Sequence, residues 1–83
     1  MSDRHRRNIG MHTDAATMER RILAALERGE CLTSGLGYAA FEGYDFRNPQ
    51  GAALAIGPTL RRLSQAGKIR PSPSGFGWVK GSA

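Results

Sequence analysis

Cysteine is almost missing from this 83-residue chain: Cys31 is its one thiol, so no intrachain disulfide can close. A stapled secreted scaffold is thereby excluded, and a lone thiol suits a reducing compartment, which makes the cytoplasm the expected location. Long apolar runs are missing too. The longest extends from Ala52 to Gly57, far short of the roughly 20 residues that cross a bilayer. Met1–Arg7 is basic but no apolar stretch follows it, so neither a membrane helix nor a secretory signal is expected. A chain of this length buries only about 60 to 65% of its unfolded surface, which leaves a modest core and few residues for a catalytic site. No enzyme is expected, and no cofactor. His5 and His12 are too isolated for a metal site, and Cys31 reads as a small core residue rather than a nucleophile. Gly35-x-Gly37 lacks the further glycine or the Lys-Ser/Thr of a phosphate-binding loop and is assigned to turn geometry.

The most informative absence is that of acid. Residues 47–83 contain no Asp or Glu, yet they carry Arg47, Arg61, Arg62, Lys68, Arg70 and Lys80. The net charge of +5 is therefore a near-balanced first half joined to a half of one sign. Such asymmetry points to a polyanionic partner.

What is present reads as one small α+β domain over residues 14–80, with a basic N-terminal arm over 1–13 and a frayed end over 81–83. Asp14 is placed to cap a helix over 15–28, in which Met18, Ile22 and Leu26 recur every fourth residue, and Gly29 is placed to end it in a left-handed conformation. Residues 31–34 are long enough only for an edge strand. Ser34 is expected to cap a short, glycine-weakened helix over 35–42. A loop with two aromatics follows, closed by Asn48-Pro49, which signals a helix start. The stripe Ala53, Ile56, Leu60 and Leu63 then predicts a helix ending at Gly67, with Gly51, Ala55, Thr59, Arg62 and Gln65 opposite and Arg61 beside them. Pro58 interrupts it. Two forms fit: one helix kinked near Leu54, or a helix over 49–55 followed by a fresh one with Pro58 in its first turn. Ile69-Arg70 and Phe76–Lys80 predict a hairpin around the turn Pro71–Gly75, resting on the helices through Ile69 and Trp78 or Val79. Trp78 is read as packing rather than as a base-stacking platform.

The stretch Ile56–Arg70, with its Leu60-Arg61-Arg62-Leu63 turn, its Gly67 cap, Ile69 and the later Gly77-Trp78, resembles the winged helix-turn-helix family, mainly over residues 56–80. Leu32-Thr33-Ser34 is similar to the family's short first strand and cap. The resemblance implies three helices and a C-terminal two-stranded wing, binding of double-stranded DNA, and a wing on the backbone or minor groove that suits Arg70 and Lys80, with Ser72 and Ser74 near the tip.

The residues support the same expectation independently, because a helix fits the major groove and must present phosphate partners and base-reading donors there. Arg61 and Arg62 suit phosphate or guanine, Gln65 adenine, and Thr59 a phosphate or a thymine methyl; Lys68, Arg70 and Lys80 add charge. The expected function is a small DNA-binding regulator of phage or prophage type. Six cations neutralising six phosphates would give a salt slope of about −5. The rival is a winged-helix interaction module of a phage or mobile element that docks on a host protein complex through exposed Tyr38, Tyr44 and Phe46, since large aromatics outside a core are typical anchors. Recognition of RNA is disfavoured, as no aromatic-basic single-strand surface is visible. Homodimerisation stays open.

Overall fold

The computed structural model describes residues 13–81; the expected arm up to residue 12 and residues 82–83 lie outside it. Four helices and a two-stranded antiparallel sheet make a small α+β fold. Helix α1 spans Ala15–Glu27, and the Asp14 carboxylate accepts the Thr17 amide at 3.2 Å, so the expected cap is in place. Its stripe buries Ile22 and Leu26. Gly29 takes the positive φ assigned to it.

Cys31 then forms a single antiparallel bridge with Trp78: its amide donates to the Trp78 carbonyl at 3.1 Å, and the Trp78 amide returns the bond at 2.8 Å. That bridge resets the next element. The chain leaves it extended, Leu32 is the N-cap of α2 (Thr33–Ala40), and Ser34 lies inside the helix instead of capping it. Helix α2 starts two residues before its expected start and stops at Ala40, where the Arg21 guanidinium donates to the terminal carbonyl at 3.1 Å.

Helix α3 (Pro49–Ala55) starts as the sequence signals, with the Asn48 side chain accepting the Gly51 amide at 2.9 Å. The split form is the one adopted. Pro58 has no amide to give the Leu54 carbonyl, so the chain breaks at Ile56 and α4 (Gly57–Gln65) begins afresh with Pro58 in its first turn. The expected three helices are accordingly four. The break also changes the buried residues: α3 buries Ala52 rather than Ala53, and α4 buries Thr59, Leu60 and Leu63. Gly67, at φ +78, ends α4, with the Lys68 amide donating back to the Leu63 carbonyl at 3.0 Å.

Strands β1 (Ile69–Pro71) and β2 (Trp78–Lys80) pair Ile69 with Lys80, Arg70 with Val79 and Pro71 with Trp78. The second strand starts at Trp78 and not Phe76, because Gly75 and Gly77 both take positive φ and extend the turn past Phe76. With Cys31 bridged to its far side, β2 is central. Ile22, Leu26, Leu36, Phe41, Ile56, Leu60, Leu63 and Ile69 form one continuous core beneath these elements. Among the described residues, no helix is long and apolar enough to cross a membrane.

Candidate nucleic-acid interface

Helix α4 is held from below by Thr59, Leu60 and Leu63 and closed by Gly67, which leaves Arg61, Arg62 and Gln65 exposed on its outer side. Among the described residues, no carboxylate lies within ion-pair distance of Arg61, Arg62 or Arg70. Thr59 does not join them. It is only 5% exposed, because positions 56, 59, 60 and 63 share the face that α4 turns to the core, so its expected role as a base reader is withdrawn.

The lysines are also differently placed from the arginines. Lys68 pairs with Glu19 at 3.0 Å, and Lys80 pairs with Glu27, so two charges of the acid-free half are met by acids of α1. Arg21 pairs with Glu42 at 3.7 Å. The unpaired positive charge of the C-terminal half is thus carried by arginine: Arg61, Arg62 and Arg70, with exposed Arg47 in the loop before α3.

Between α4 and the hairpin lies an open cleft of about 370 Å³, walled by Gly57, Leu60, Arg61, Ser64 and Gln65 on one side and by Thr33 and Trp78 on the other. The Trp78 indole N–H donates to the Thr33 hydroxyl at 2.9 Å, which fixes the ring against the start of α2. Arg61 and Gln65 therefore face an immobilised aromatic wall.

At the far end of the hairpin, the Ser72 and Ser74 hydroxyls both donate to the Glu30 carboxylate, and the Phe76 amide donates to Ser74 Oγ at 3.2 Å. Ser72 is buried rather than presented at the tip. The hydroxyl bonds, first Ser72 and then Ser74, hold the Glu30 carboxyl below its ordinary value of 4.5. A depressed folded value means that the carboxylate's contribution is complete above 4.5 and fades as pH falls through that depressed value. Protection factors of the Ser74 and Phe76 amides are expected to drop in acid and to lose that pH dependence in Glu30→Gln. Equal protection of the two proteins across that range would count against the bracket.

The aromatics expected at an exposed loop are mostly not exposed. Tyr44 and Phe46 are half-buried against the core, and Phe46 meets Tyr44, Tyr38 and Phe41 edge-on at centroid distances of 4.5, 5.7 and 5.9 Å. Packing claims them because the loop folds back over the buried end of α2, where Phe46 lies edge-on to Phe41. Tyr38 alone, 42% exposed, stays largely at the surface. The exposed apolar groups that sequence reasoning missed are Leu32, Leu54 (75%) and Phe76 (70%). Only Phe76 carried a legible signal, since it stands between two glycines in a turn.

No group of three metal-ligating side chains occurs among the described residues; His5 and His12 lie outside them. The half-buried Cys31 thiol points at the Ala25 carbonyl, 3.6 Å away. Comparison with protein-family models, with curated proteins and with solved structures returned no match.

Proposed function

We propose that this chain binds double-stranded DNA as a small winged helix-turn-helix protein, a regulator of phage or prophage type, acting in the cytoplasm as a binding protein and not as a catalyst. The observation that carries the reading is the set of arginines without acidic partners among the described residues, Arg61 and Arg62 beside Gln65 on core-anchored α4, with Arg70 on the adjoining hairpin. In this reading α3 and α4 address the major groove, and the hairpin, as the wing, lies along the backbone. Arg61 and Gln65 border the cleft and reach toward base edges, while Arg62, Arg70 and Arg47 hold phosphates.

The ion pairs of Lys68 and Lys80 reduce the charge available for phosphate. With Arg47, Arg61, Arg62 and Arg70 each neutralising one phosphate, log K should fall with log salt at a slope of about −3.6, rather than the −5 suggested by composition. Titration of a random-sequence duplex at two salt concentrations measures it. Absence of binding at low salt removes the proposal.

A second reading, a winged-helix module that binds and modulates a host protein complex, is favoured by Leu54 on α3 and Leu32 before α2, both exposed among the described residues. A chain that ignores duplex DNA at low salt would be assigned to it.

A further inference from the structure

We infer that the cleft between α4 and the hairpin is a binding site for a small planar aromatic carboxylate, and that this ligand and the duplex exclude each other. The exclusion rests on the duplex-binding reading above; the site stands without it. Arg61, Ser64 and Gln65 line the cleft on its α4 side. Residues three and four apart are neighbours on a helix surface, so α4 presents these side chains together. Among the described residues, none of the three side chains has a hydrogen-bond or ion-pair partner. They form a cluster of unused donors: a guanidinium fork, a hydroxyl and a carboxamide. The wall across from them is Trp78, whose indole N–H donates to the Thr33 hydroxyl at 2.9 Å. That bond uses the ring's one donor and fixes its place, so what the hairpin side offers is aromatic surface.

These two walls select the guest. Arg61 is the one charged residue among those described along the cleft, so a single negative charge is matched and a cation is repelled. A carboxylate fits the planar guanidinium fork through both oxygens and keeps lone pairs for Ser64 and Gln65. A wholly apolar guest would cover those donors without bonding them, which costs free energy. A flat ring attached to the carboxylate packs against Trp78 by offset or edge contact. At about 370 Å³ the cleft is near the small end for ligand sites, which limits the guest to one or two rings. Arg61 and Gln65 are also the residues assigned to base edges, so a seated ligand takes both from the duplex.

Trp78 is the only tryptophan of the chain, so a single indole N–H resonance reports on the cleft. The full chain, isotope-labelled, is titrated with nicotinate, with nicotinamide, which has the same shape and no charge, and with acetate, which has the charge and no ring. Nicotinate should shift the indole resonance to saturation, nicotinamide should bind about tenfold more weakly, and acetate should leave the resonance in place. Arg61→Ala should lose the response. Ser64→Leu, which fills the cleft from α4 with a better helix former, should lose it too in a protein that melts no lower. Duplex binding is read by anisotropy. Nicotinate at about ten times its Kd should weaken it about tenfold relative to the same concentration of acetate, which matches the ionic strength. A resonance that ignores nicotinate, that moves equally with nicotinamide, or that responds undiminished in Arg61→Ala overturns the site. Equal duplex affinity in nicotinate and acetate overturns the exclusion alone and leaves the DNA reading standing. No duplex binding at low salt overturns the DNA reading and the exclusion with it, while the resonance still decides the site.

Discussion

Gly37→Ala is expected to destabilise the fold by about 1 to 3 kcal/mol, while Gly35→Ala, two residues earlier on the same helix, stabilises it by about 0.5 to 1 kcal/mol. Both glycines lower the helix propensity of α2, and by sequence they are equivalent. Their surroundings are not. A Cβ on Gly35 would meet nothing within 4 Å, whereas one on Gly37 would lie 2.2 Å from the Ala52 carbonyl oxygen and 2.9 Å from the Ala52 side chain. Gly37 is where α2 and α3 touch backbone to backbone, and a main-chain carbonyl cannot swing aside as a flexible side chain can. Any added atom must push the two helices apart and open the core around Leu36, Ala40 and Ile56. For a domain of this size about 1 kcal/mol moves the melting temperature by roughly 4 to 8 °C, so melting curves resolve both changes. Shifts of the same sign would mean that α2 and α3 are not in this contact.

Replacing Arg61 and Arg62 together by alanine should weaken duplex binding on the order of 100-fold at low salt and halve the salt slope, from about −3.6 to about −1.8. Both side chains are exposed and make no ion pair among the described residues, so melting should be unaffected. Lys68→Ala and Lys80→Ala are the natural controls. Each removes one formal charge, but each also frees a carboxylate of α1. A loss from the lysine variants equal to that from the arginine pair would show that net charge alone governs binding and that α4 has no special place in it. The matching test of the protein-docking reading is Leu54→Ser, since a Tyr44/Phe46 substitution would damage the core-facing ring cluster along with any surface.

Local signals are legible in the sequence. Asp14 before the Met18, Ile22 and Leu26 stripe, Asn48-Pro49 and the Gly67 cap each depend on neighbours within one or two turns, and each is found where its chemistry places it. Pro58 narrowed the long helix to two forms, and the missing amide selected the split. The failures share a cause of another kind. Thr59 is polar and sits beside two exposed arginines, yet the restart of α4 turns it inward. The pairing of Lys68 with Glu19, and of Lys80 with Glu27, joins opposite ends of the chain, which no local pattern encodes. Tyr44 and Phe46 follow a glycine in a stretch of loop composition and still pack, because the loop is short and a large apolar surface lies under it. The candidate site was thus legible in its arginines and illegible in its aromatics.

The bridge between Cys31 and Trp78 has a kinetic meaning. It makes the later-synthesised of the two strands the central one, flanked by β1 on one side and by a residue from the first half of the chain on the other. Helices α1 to α4 pack mainly on their neighbours in the sequence, but the sheet cannot close until residues 78–80 have been made and returned to residue 31. Loop-closure entropy therefore falls on the final step, and the rate of folding should be governed by that long-range pairing more than by any helix.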